Sequence, residues 1–152
     1  MAADLTALVR TALVEELEQL RDQVKQVIEP LSDEQLWRKP IDPGNSLGHL
    51  LLHLTGNLSH FVGSHLGKTG YVRDREREFT EANPPSRAEL LAKLDAAAAT
   101  FHRVVECLSA DELAAPHPEA RFGTVLQTLL HLTAHFALHR GQMTYIARLV
   151  QK

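Results

Sequence analysis

Apolar residues recur three and four positions apart along four stretches of this chain, and the connections between them are polar or broken by proline. That spacing predicts helices with one face turned to a core. The first runs from about Asp4, a candidate N-cap, to Glu29, with Leu5, Leu8, Val9, Ala12, Leu13, Leu17, Leu20, Val24, Val27 and Ile28 on its apolar side; Pro30 stops it. The second begins at Asn45 or Ser46 and ends near Gly67, using Leu47, Leu50, Leu51, Leu54, Leu58 and Phe61. The third opens with Ser86 and Glu89 at capping-box spacing and continues through Leu90, Leu91, Leu94, Ala97, Ala98, Phe101 and Val105. Thr124 and Gln127 repeat the device, and a fourth helix runs from there to the C-terminus. Period-two alternation is absent and no internal repeat is visible, so the pattern predicts an all-α chain.

Length and charge narrow this further. A chain of 152 residues, 44% hydrophobic and 23% charged, can bury a full core, which suggests one domain over residues 1–152. A net charge of −3 argues against a nucleic-acid partner, since phosphate binding needs clustered Lys and Arg. Residues 43–67 and 122–139 carry no charge apart from histidine, yet polar side chains interrupt them too often for a membrane span, which needs about 20 predominantly apolar residues. Met1-Ala2-Ala3-Asp4-Leu5 lacks the basic and apolar regions of a secretory signal, so a cytoplasmic chain without membrane contact is expected. Cys107 is the only cysteine and sits in a helical apolar pattern, which predicts a buried, inert thiol. The long connections at 30–45 and 68–85 point to at least one crossover. Residues Tyr71 to Phe79 read first as a solvated loop with local ion pairs worth about 0–1 kcal/mol each, and alternatively as a lid edge or dimer contact.

The chemistry lies with histidine. Seven of the nine histidines fall on two segments, His49, His53, His60 and His65 on one and His131, His135 and His139 on the other. Neither 44–73 nor 120–152 contains an Asp or Glu, although the chain has nineteen acids. Imidazole is therefore the main proton-active or metal-binding group there. Residues four apart on a helix share a face, so His135 and His139 can share a metal. At about 100° per residue, His139 falls roughly 60° and His135 roughly 100° from the apolar centre of the fourth helix, and His131 roughly 140°. On the second helix, His53 is the histidine of the helix interior best placed to join them, and Asn57, one turn on, is a candidate hydrogen-bonder to a ligand. His65 also lies on the apolar side and remains a possible extra ligand, with the alternative of completing free carbonyls at the helix end. Three neutral imidazoles leave a divalent cation an open position for water or substrate. Phe136 stands where a His-Glu-x-x-His motif would put its base, so that motif is excluded. Arg140 lies on the apolar side and is expected to pair with an acid, Gly141 to mark a close backbone approach, and Gln142 to reach a ligand histidine.

The segment His135-Phe-Ala-Leu-His-Arg-Gly-Gln142, with Asn45-Ser-Leu-Gly-His-Leu-Leu-Leu-His-Leu-Thr-Gly-Asn57 upstream, resembles the DinB/YfiT-like family of damage-inducible, metal-binding four-helix proteins. The similarity covers almost the whole chain, and Arg73-Asp74-Arg75 with Glu78-Phe79 looks like elements of one largely uncharacterised subfamily. The resemblance implies a four-helix bundle of up-down-down-up order, often a homodimer, with one divalent metal, zinc or nickel, on three histidines. Those map onto His53, His135 and His139. It also implies transferases and isomerases that use low-molecular-weight thiols such as bacillithiol or mycothiol.

The leading expectation is a metal-dependent enzyme that activates a small thiol for attack on an electrophilic small-molecule substrate. A metal-dependent hydrolase is the second, distinguished by activity without thiol. A stress-induced metal- or ligand-binding protein without chemistry is the third, favoured if His65 fills the fourth position.

Overall fold

The computed structural model describes residues 4–152. The first three residues, part of the segment read for a leader, lie outside it. About 70% of the described residues are helical. Among the described residues there is no strand beyond a single antiparallel bridge between Pro116 and Thr124.

Each of the four long helices starts where its cap was expected. Helix α1 spans Leu5–Ile28, its first turn closed by the Asp4 carboxylate accepting from the Thr6 amide. Its buried residues, Leu13, Val14, Leu17, Leu20, Val24 and Ile28, keep the three-and-four spacing. Helix α3, Leu47–Leu58, is capped by Ser46, with the His49 ring in the place a Glu or Gln usually takes. Helices α5 (Arg87–Val105) and α7 (Val125–Val150) carry the capping boxes Ser86/Glu89 and Thr124/Gln127. The connections are not bare loops. They hold the short helices α2 (Asp33–Trp37), α4 (Arg77–Thr80) and α6 (Ala110–Ala114), and a 3-10 turn at Ala120–Phe122.

Helix α1 packs on α5 and α7, and α3 packs on the same two, around one cluster of aliphatic side chains with Phe61, Phe101 and Phe136. Burying each such side chain contributes about 1.5–3 kcal/mol, which outweighs the weak surface pairs such as Lys25–Asp95 between α1 and α5. Arg87 donates to the free carbonyls of Glu29 and Leu31 at the end of α1, while Gln35 and Arg38 donate to Val150 at the end of α7.

Helix α3 is the innermost element: ten of its twelve residues are buried. Trp37 lies over Gly48, where a Cβ would strike the indole, and its Nε1 donates to the Pro85 carbonyl. On another side, α4 and the residues before it cover Gly56 and His53. The segment 71–79, expected as a solvated loop, therefore contributes to the interior through Arg73 and Glu78. The two-sided burial also explains why His49, placed by periodicity roughly opposite the apolar arc, is only 7% exposed.

Past Leu58 the helix widens into a π-helical turn, Ser59–Ser64. Two other expectations fail. Cys107 is exposed, because α5 ends at Val105 and the thiol projects from the turn after it. A Cβ at Gly141 would meet nothing within 4 Å, so no part of the described chain approaches it closely. Among the described residues, no helix is long and apolar enough to cross a membrane.

Candidate metal centre

Helices α3 and α7 bring His53, His135 and His139 together. One nitrogen from each lies within 4.8 Å of the others, a group able to hold a metal ion. The Nε2 atom of His135 is 3.2 Å from Nε2 of His53 and 3.0 Å from Nε2 of His139. Ligand atoms on a tetrahedral zinc with Zn–N bonds of about 2.0–2.1 Å are roughly 3.3–3.4 Å apart, so the three nitrogens stand close to the edges of such a polyhedron.

The far nitrogens assign the tautomers. His53 donates from Nδ1 to Glu78 Oε2 at 2.9 Å, and His139 donates from Nδ1 to Gln142 Oε1 at 2.7 Å. With those protons on Nδ1, both Nε2 atoms present lone pairs toward His135. Burial, with the rings of His139, His53 and His131 and the Arg73 guanidinium, pushes His135 down to about 4. Burial also holds His139 below its ordinary value, opposed by the Gln142 hydrogen bond and reinforced by His53. Both are therefore neutral near pH 7. Two lone pairs facing a third imidazole nitrogen at 3.0 and 3.2 Å suit a cation, and the donor set fits a divalent transition metal.

Glu78 was not among the residues singled out as candidate ligand partners, and it is central. Only 5% exposed, it is held by Arg73, whose Nε and Nη2 donate to Oε1 and Oε2 at 2.6 and 2.8 Å. Burial raises its carboxyl, but the hydrogen bonds from Arg73 and His53 outweigh this and leave it below the usual carboxylate range. The acid thus enters from outside both acid-free segments. Gly56 makes room for it: a Cβ there would land on Glu78 Oε1. The sequence signal for this pair was only the Arg-Asp…Glu-Phe element of the resemblance, because residues 53 and 78 share no local pattern.

Of the other expected residues, Gln142 reaches His139 as anticipated. Asn57 is buried and its Nδ2 donates to the His53 carbonyl at 3.0 Å and to His53 Nε2 at 3.1 Å, so it competes for the lone pair that a metal would use. Arg140 makes no ion pair among the described residues, and its buried Nε lacks a partner, contrary to the expected acid. His65 stays away from the three histidines; it groups with His60 and Glu119. His131 stacks beside His135 at a centroid distance of 6.2 Å, but its side chain turns outward.

A cavity of about 730 Å³ does not coincide with the histidines. It lies between α3, residues 69–85 and α5, lined among others by Gly56, Tyr71, Glu78, Lys93 and Thr100. Glu78 is its link to the cluster.

An all-α chain with three convergent imidazoles is what the resemblance to the DinB/YfiT-like family implied, and a family model matches most of the chain. Residues 12–150 match the family model described as mycothiol-S-transferase, and the chain belongs to that family. No curated protein matches it. A crystal structure described as the conserved protein of locus from Enterococcus faecalis superposes over 98% of each chain with a TM-score of 0.75 at 16% identity, a likeness of fold.

Proposed function

We propose that this protein is a metal-dependent thiol S-transferase that joins a low-molecular-weight thiol of the mycothiol or bacillithiol type to an electrophilic small molecule. The observation that carries this reading is the convergence of His53, His135 and His139 through Nε2 while Glu78 and Gln142 occupy two of the outer nitrogens. The family match supports the thiol as co-substrate.

The three imidazoles would hold one zinc or nickel ion, between which an all-nitrogen donor set does not discriminate. When bound, such an ion lowers the pKa of a coordinated thiol and so supplies a nucleophile near neutral pH. The chain's own residues do the rest. Glu78 fixes the ring of His53 and its tautomer, and Arg73 balances the carboxylate so that it stays ionised in a buried place. Gln142 does the same for His139 without adding charge. The neutral donors leave the site net positive, which favours the thiolate over the thiol.

In this reading residues 1–152 are one domain, a four-helix bundle of up-down-down-up order. The shared end of α1, α5 and α7, where Arg87 meets Glu29 and Arg38 meets Val150, supports that order. Leu130, Leu138 and Tyr145 are more than half exposed along α7 and suit the homodimer that the resemblance implies.

The test is transfer of mycothiol, bacillithiol or glutathione to a panel of electrophiles by zinc- and nickel-loaded protein. Thiol conjugation lost on chelation and in His53→Ala and His139→Ala variants is expected. Turnover of the panel without thiol would replace the reading with a hydrolase, and no turnover with tight metal binding would replace it with a binding protein.

A further inference from the structure

A second cluster lies at the other end of the same face and takes no part in the site above. His60, His65 and Glu119 each offer one ligand atom, all within 4.8 Å of one another. His65 follows His60 by five positions. On an α-helix that spacing puts them about 140° apart, on different faces. The π-helical turn cancels the offset: the His65 amide bonds the His60 carbonyl at 3.1 Å, five residues back, and the rings meet at a centroid distance of 4.4 Å.

The third group arrives from the loop before α7 and is held in place. Glu119 Oε1 is 3.6 Å from His60 Nε2, and its other oxygen faces Arg121 at 3.7 Å. His117 positions this loop. Its Nδ1 accepts from the Glu119 amide at 2.9 Å and its Nε2 donates to the Phe61 carbonyl at 3.0 Å. Phe61 is free to accept because the amides of His65 and Leu66 go to the carbonyls of His60 and Val62. Both nitrogens of His117 are thus used, so it is a clamp and not a donor to the cluster.

His65 is the unresolved member. Its Nδ1 is sealed from solvent and has no hydrogen-bond partner, although the ring lies among polar groups. Such an atom costs free energy unless something fills it.

We infer that His60, His65 and Glu119 form a second divalent transition-metal site, one that fastens the π-helical turn to the 116–124 loop. Two imidazoles and one carboxylate are a donor set zinc accepts, and the His60–Glu119 separation of 3.6 Å lies just above the roughly 3.3–3.5 Å expected between nitrogen and oxygen ligands on one tetrahedral zinc. The carboxylate cancels part of the ionic charge, unlike the all-imidazole set of the first site, and the role expected is structural. The inference is independent of the thiol-transfer reading.

The experiment is zinc titration of untagged, chelator-stripped full-length protein by calorimetry, repeated with cobalt by absorption. Wild type should bind two equivalents. His60→Ala and Glu119→Gln should bind the second equivalent at least about tenfold more weakly and keep the first, while His135→Ala should lose the first and keep the second. Zinc should also raise the melting temperature of His135→Ala, and this rise should vanish when His60→Ala is added. His60 is partly exposed, so its removal leaves the core intact; melting curves in chelator check that. If no bound equivalent is weakened by His60→Ala or Glu119→Gln, the inference is overturned, whether or not the first site binds metal or thiol transfer is found.

Discussion

Replacing Glu78 by Gln tests the link between the buried acid and the metal centre. The carboxylate accepts three hydrogen bonds, two from Arg73 and one from His53 Nδ1. A Gln amide of the same shape has one acceptor oxygen, so Arg73 is left facing an N–H group in either orientation, and His53 with it when the oxygen sits at the Oε1 position. Removing one partner of a buried ion pair costs about 3–5 kcal/mol; retention of at least one hydrogen bond puts Glu78→Gln near 3 kcal/mol. Loss of the acceptor behind a ligand histidine typically weakens metal binding about 10–100-fold, or roughly 1.4–2.8 kcal/mol. Urea denaturation in chelator measures the first quantity and competition with a chromophoric chelator the second. The double variant Arg73→Met with Glu78→Leu separates them. With both charges gone, stability should return to within about 1.5 kcal/mol of wild type, because an apolar pair of similar volume replaces the ion pair. Metal binding should stay weak, because His53 still has no acceptor. Wild-type metal affinity in the double variant would refute the role given to Glu78 and leave the pair as a packing feature only.

Gly56→Ala should also weaken metal binding, since the added Cβ lands on Glu78. Helix propensity alone predicts a gain of about 1 kcal/mol there, so a more stable variant with unchanged affinity would show that Glu78 yields without consequence. Gln142→Leu should lower metal affinity by about tenfold while changing stability by less than about 0.5 kcal/mol, because the residue is exposed; chelator competition and urea melts measure both. Metal-free protein should lose stability as pH falls from about 6.5 toward about 4, because folding holds His135 below its unfolded value and favours the neutral ring. The contribution is complete above the unfolded pKa and disappears as the folded pKa is passed; His135→Gln should flatten this part of the urea-midpoint profile, and coincident profiles would contradict it.

Much of this molecule is settled by rules that act within a few residues. Apolar spacing and the side-chain caps at Asp4, Ser46, Ser86 and Thr124 place the four long helices, because each depends only on one or two turns of backbone. The same locality puts His135 under His139 and Gln142 beside it. Periodicity also selects His53, but its wheel assumes one wet face, and α3 has almost none. That assumption fails because Trp37 and the α4 segment close over it, contacts whose formation depends on the whole chain having packed. Tertiary structure alone decides that Glu78, twenty-five residues away, backs His53, that Arg140 finds no acid among the described residues, and that Cys107 faces water. It also shows the π-helical turn that brings His60 to His65, an arrangement that α-helical periodicity excludes. Short-range hydrogen bonding specifies the rods and the residues on each; which side chains meet between rods depends on how a common core is filled, and no local pattern encodes that.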